Sequence, residues 1–215
     1  MKRQKYYSEI SENLEILVNR IKVNAKLNIL DLNIHAETFY RDLINIVYGY
    51  KFQSANLSSA NVEAIDLVDS ENEVLIQVSS TSTKQKIQDT LKKDKIDEYA
   101  QKGYQLKFIF IAHESKNLRT MKYNNPFKIK FDPKQDIIDK VSLLTAISQL
   151  EIGRLNLVYD LFKKEFGSAI DPEKISSNLT TIVNLLSEED LGEEEIPANL
   201  HLYKIDEKIK CNYSA

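Results

Sequence analysis

Apolar positions recur along this chain with two different periods, and the switches between them outline its elements. Over residues 8–23, Ile10, Leu14, Leu17 and Ile21 sit at helical spacing with charges between them, predicting an amphipathic helix that Ser11 is placed to cap. Residues 24–33, with three Asn, predict an irregular connector. A second helix is predicted over 34–48, capped by Asn33, with Ala36, Phe39, Tyr40, Leu43, Ile44 and Val47 on its apolar face. The period then shortens to that of strands: a short one at 50–53, a polar loop, and two β-branched runs at 62–68 and 73–79 separated by a polar break.

Helical spacing returns over 84–101 through Ile87, Leu91, Ile96 and Tyr99, and Gly103 is placed to end it. The run LKFIFIA at 106–112 is nearly all apolar, as expected of a strand covered on both faces, and FKIKF at 127–131 alternates like a further strand. Residues 136–166 predict a long helical stretch that Gly153 interrupts. A further helix is predicted from Asp171-Pro172 through Ile175, Leu179, Ile182 and Leu186, followed by an acidic linker and an alternating tail. This order predicts an α/β fold, a mixed central sheet flanked by helices, with a C-terminal helical appendage. The 84–101 helix is expected to make a right-handed crossover that pairs 73–79 parallel with 106–112. The division expected is a domain at 1–134, an appendage at 135–187, and a linker and tail at 188–215.

Charge refines this outline. The net charge of −3 divides unevenly: residues 1–134 hold 21 Lys and Arg against 17 Asp and Glu, and residues 135–215 hold 8 against 15. A mildly basic first part permits nucleic-acid contact without demanding it. The single cysteine, Cys211, excludes a disulfide framework and a cysteine-based zinc site, and His35, His113 and His201 are too scattered for a histidine cluster. The N-terminus lacks the apolar core of a signal peptide and no long apolar run is present, so a cytoplasmic protein that contacts no membrane is expected.

The chemistry concentrates in the hairpin AIDLVDSENEVLIQVSSTSTKQK, residues 64–86. Each strand carries one polar residue where a buried strand should be apolar: Asp66 and Gln77. With the turn centred on Glu71-Asn72, Asp66 lies opposite Gln77 on one face of the sheet, and Ser79 shares that face. Such groups need satisfaction by a metal ion or by a hydrogen-bond network. In the metal reading, oxygens of Asp66 and Gln77 and the carboxylate of Glu37 hold Mg²⁺ or Mn²⁺, with a nearby lysine offsetting charge on a phosphate.

The order of elements and these residues resemble the PD-(D/E)XK nuclease superfamily, the restriction endonuclease-like fold, in which a helix Glu is followed by a hairpin Asp and then by Glu-X-Lys or Gln-X-Lys. The matching positions read Glu37, Asp66 and Gln77-Val78-Ser79. More closely, AETFYRDLINIVYGYKF, the hairpin and ISSNLTTIVNLLS resemble the SMEK domain family, bacterial nuclease-like modules often attached to larger proteins of anti-phage defence. The resemblance implies metal-dependent hydrolysis of DNA, or RNA, with Asp66, Gln77 and Glu37 as metal ligands. It also implies self-association or attachment to a defence effector through the C-terminal helices. Ser79 stands where the motif lysine belongs, which puts Lys84, nearer the strand end, or Lys86 in the lysine's role.

Plainer roles exist for the same residues. Asp66 fits a turn cap, Glu37 a carboxylate favoured near a helix N-terminus, and SSTSTK a cap for the helix at 84 through Thr81, Ser82 or Thr83. The lysines at 92–95 fit a solvated helix face, and His113 a strand-end surface histidine. A non-catalytic module that binds nucleic acid or assembles a complex is therefore the competing expectation.

Overall fold

The computed structural model describes residues 1–27, 29, 31–55 and 65–167, all within the first of two units into which the chain divides, Met1–Ala169. Helix α1 spans Lys2–Lys26 and α2 spans Asp31–Tyr48. Strands β1 (Gln53–Ser54), β2 (Leu67–Asp69) and β3 (Val74–Ser79) follow, then helices α3 (Lys84–Leu91) and α4 (Asp94–Gln101) and strand β4 (Gln105–Phe110). After a 3₁₀ turn at Lys116–Thr120 come α5 (Pro133–Asp136), β5 (Ile137–Asp139), α6 (Lys140–Ser148) and α7 (Ile152–Phe166).

The five strands form one mixed sheet in chain order, antiparallel from β1 to β3 and parallel from β3 to β5. Helices pack on both faces. Ile10, Leu14, Leu17 and Ile21 of α1, the apolar stripe of α2 and Leu155, Val158 and Phe162 of α7 bury against Ile76, Val78 and Ile109. On the other face, Ile87 and Leu91 of α3 and Ile96 of α4 cover Leu75, Leu106, Phe108 and Phe110. Alternating residues of β3 and β4 thus go to opposite cores, which is why LKFIFIA is apolar throughout. Among the described residues no helix is long and apolar enough to cross a membrane.

Several expected boundaries move, each for a local reason. Helix α1 begins well before residue 8 and carries Ser11 in its interior, where the hydroxyl donates to Ser8 O. The predicted connector shortens because α1 runs to Lys26 and α2 starts at Asp31. Of the strand predicted at 62–68, β2 keeps Leu67 and Val68 and adds Asp69, and residues 56–64 lie outside the described ones. The single helix at 84–101 is two helices. Leu91 and Ile96 are five residues apart, which on one helix would turn Ile96 about 140° from Leu91. The break at Lys92–Lys93 lets both reach one core. Gly103, at φ +82°, ends α4 as expected: its N–H donates to Ala100 O and that of Tyr104 to Tyr99 O, a Schellman pair.

FKIKF is no strand. Lys128 adopts φ +53°, Asn125 holds both backbone groups of Ile129, and only Lys130 bridges to Gln105 of β4. The fifth strand is instead Ile137–Asp139, within the stretch predicted as helix. Consequently the boundary expected at 134 falls inside a folded unit, with β5 in the sheet and α6 and α7 in the core. Their apolar faces are used internally. The helix predicted from Asp171, the linker and the tail lie outside the described residues.

Candidate functional site

The hairpin takes the expected register, with Leu67 opposite Ile76, Val68 opposite Leu75 and Asp69 opposite Val74. Asp69 fixes its turn: Oδ1 accepts from the N–H groups of Glu71 and Asn72, and Oδ2 from Lys51 N–H and the Asn72 amide. Continued one residue outward, this register sets Asp66 against Gln77. β2 proper starts at Leu67, yet Asp66 N–H still donates to Ile76 O, and the Asp66 side chain takes the next bond along β3. Asp66 Oδ2 accepts from Val78 N–H at 2.6 Å and from Gln77 Nε2 at 2.6 Å.

Gln77 Nε2 also donates to Val78 O at 3.2 Å, and its two bonds orient the amide with its nitrogen toward Asp66. Gln77 Oε1 is left buried with no hydrogen-bond donor, in a residue only 6% exposed. A buried acceptor without a donor costs about 1–3 kcal/mol. It is the one such side-chain atom among the described residues.

Two carboxylates are linked here through charge. Burial raises Asp66 to about 6, against the opposing pull of the Val78 N–H and the Lys86 charge. Burial, and then the negative charge of Asp66, raises Glu37 of α2 to about 7. The charge of Asp66 thus reaches Glu37, although the apolar residues of α2 enter the core on the other face of the sheet from Gln77. Of the five expected residues, Asp66 and Gln77 are hydrogen bonded, and Glu37 and Lys86 are linked to Asp66 through charge.

Lys84 is the exception. Two positions apart on a helix lie about 200° round the axis, so one phase cannot aim both lysines at Asp66. Lys86 is the lysine whose charge acts on Asp66, while Lys84 lines a separate cleft with Ser82 and Thr83. This reverses the preference for Lys84 drawn from distance along the chain. Thr83 is the cap of α3, its side chain accepting from Lys86 N–H. Ser79, at the motif-lysine position, exchanges hydrogen bonds with Thr81 N and O and so closes a local turn. His113 is exposed beyond β4, bordering a second cleft with Lys22 and Lys140.

The donor set fits a hard cation. Asp66 and Glu37 offer oxygens, Gln77 Oε1 is an acceptor without a donor, and both carboxylates carry negative charge that a cation would relieve. Among the described residues no three His, Cys, Asp or Glu side chains are grouped for a metal, so a ligand set here has to draw on the Gln77 amide.

Sequence reasoning missed two further buried polar centres. Asp136 takes Lys107 Nζ at 2.6 Å, Gln105 Nε2 and Asp132 N–H. Asp139 caps α6, accepts from Ser115 N–H and Ser142 N–H, and pairs with Arg119 at 2.9 Å. The capping pattern Asp139-Lys140-Val141-Ser142 was the available signal for the start of α6.

Comparisons with curated proteins and with solved structures find no match. A family model described as the SMEK domain does match, over residues 9–148, from α1 to the end of α6 and across every site residue above. On that match, which spans more than half of its length, the chain belongs to the SMEK domain family.

Proposed function

We propose that this SMEK domain chain is a divalent-cation-dependent nuclease that hydrolyses DNA phosphodiesters in bacterial anti-phage defence, on a restriction endonuclease-like PD-(D/E)XK frame. The observation that carries this reading is the donorless Gln77 Oε1 beside Asp66, a carboxylate on which the charge of Lys86 acts and whose own charge acts on Glu37. Asp66 and Gln77 would hold Mg²⁺ or Mn²⁺, with Glu37 in support. Such an ion supplies Lewis acidity toward a phosphate and toward water.

The protein's own residues do the rest. Hydrogen bonds from Val78 N–H and Gln77 Nε2 fix the Asp66 carboxylate in one orientation. Glu37, the supporting carboxylate, would position a water beside the phosphate. Lys86 offsets charge that builds on the phosphate, the task of the absent motif lysine.

One observation favours the second reading, an inactive module of the same fold that binds nucleic acid or assembles a complex. Ser79 replaces the motif lysine and is bound into its own turn. A plasmid-nicking assay with Mg²⁺ or Mn²⁺ separates the two. The nuclease reading expects metal-dependent nicking that Asp66→Ala abolishes. Nicking that survives Asp66→Ala sinks the site, and DNA binding without any nicking selects the inactive module.

A further inference from the structure

Lys84 stays outside the Asp66 centre, and its surroundings suggest a different task. A cleft of about 560 Å³ opens beyond the C-terminal ends of the parallel strands β3 and β4. Ser82, Thr83 and Lys84 come from the β3 side, and Glu114, Lys116 and Asn117 from the β4 side. Both lysines are exposed, and neither ammonium group has an ion pair or a side-chain hydrogen bond among the described residues. Lys51, Lys95, Lys107 and Lys140, by contrast, are each paired with a carboxylate. One carboxylate, Glu114, faces the two free ammonium groups, so the wall remains net positive.

The wider charge distribution points the same way. Residues 84–134, from α3 through the loop after β4, hold 13 Lys and Arg against 6 Asp and Glu, while residues 1–83 hold 8 against 11. Basic charge thus concentrates in the segments that follow β3 and β4, including both walls of the cleft. Lys86, on the same first turns of α3, addresses Asp66 from the opposite side of the helix. A chain of phosphates could engage both places at once, where a single free phosphate could not.

We propose that Lys84 and Lys116 bind a backbone phosphate of the nucleic acid that flanks the bond presented to Asp66, with Ser82 and Asn117 as neutral hydrogen-bonding partners. The assignment rests on the nuclease reading for what lies at Asp66, but the binding step needs no cleavage. It is tested with a fluorescein-labelled DNA duplex titrated by anisotropy in EDTA over a range of salt. Lys84→Ala/Lys116→Ala is expected to weaken binding about tenfold and to lower the slope of log K against log salt by about 1. Lys84→Arg/Lys116→Arg should restore both, and Lys5→Ala/Lys26→Ala on α1, a charge-matched control, should change neither.

An unchanged slope in the alanine pair overturns the proposal. So does an equal loss in the α1 control, a wild type that binds no duplex, or displacement of the duplex by low-millimolar inorganic phosphate, which assigns the cleft to a small anion. Binding that depends on Lys84 and Lys116 in a chain that never cleaves DNA would remove the nuclease reading and leave this cleft standing.

Discussion

Asp139 and Asp66 are both inward-facing carboxylates at the end of a short strand, and the fold treats them in opposite ways. Around Asp139, burial would raise the carboxyl, yet Arg119 and the N–H groups of Ser142 and Ser115 outweigh it and hold the group below the usual range. Asp66 receives one backbone N–H and an amide, both on the same oxygen, and burial keeps it raised against them and the Lys86 charge, with a donorless amide oxygen alongside. The partners of Asp139 hold it ionised; those of Asp66 do not outweigh its burial, and the acceptor beside it has no donor. A carboxylate left in that state reduces stability, which is the usual mark of a functional site.

The sharpest test sets activity against stability. Asp66→Asn, which keeps an acceptor for Val78 N–H, should lower metal-dependent nicking about 1000-fold, or about 4 kcal/mol. Its unfolding free energy in urea should change by less than about 1 kcal/mol. A loss of several kcal/mol would make Asp66 a structural residue like Asp139. The mirror experiment is Asp139→Ala, which strands Arg119 and two buried N–H groups and should cost about 3 kcal/mol in the same urea titration.

Acidity separates the two centres by sign. Glu37 and Asp66 are raised in the folded chain, so the stability they contribute is full below about pH 4 and declines as pH rises through about 6 and 7. Asp139 is lowered, so its contribution is present above the ordinary carboxylate range and is lost as pH falls through its folded value. In EDTA, thermal unfolding should therefore show stability falling by about 1–2 kcal/mol between pH 5 and 8, allowing for solvent screening of half-buried Glu37. The Glu37→Gln/Asp66→Asn double variant should not show that fall.

The smallest effect expected is a gain. Gln77→Glu replaces the donorless oxygen with a carboxylate, so Mg²⁺ should raise its melting temperature by a few degrees more than the parent's, about 1 kcal/mol of linkage. An equal response in both chains would detach Gln77 from the ion.

The hairpin and its facing pair were legible because strand register is a matter of counting: the turn position alone sets Asp66 opposite Gln77. The helices of the first 50 residues were legible for a similar reason, through the spacing of Ile10, Leu14, Leu17 and Ile21 and of the α2 stripe. The phase of α3 was not, because which of Lys84 and Lys86 turns toward Asp66 depends on how Ile87 and Leu91 dock. Strand β5 was hidden because three residues carry no period of their own, and Ile137 and Ile138 merge into the apolar rhythm of α6. FKIKF misled in the other direction. Its alternation does place Ile129 inward, but through a turn at Lys128.

Helix α7 lies beyond residue 148, where the family match ends, yet it completes the layer that α1 and α2 begin. Tyr159 stacks on Tyr6, Phe162 meets Phe39 edge to face, and Leu155 and Val158 are fully buried. At about 1.5–3 kcal/mol for each buried side chain, these four are worth about 6–12 kcal/mol, comparable with the whole stability of an ordinary domain. The region that defines kinship is thus shorter than the region that folds. A fragment trimmed to residues 9–148 for expression would expose the trough between α1 and α2 and aggregate, and one carried through Phe166 would keep it closed.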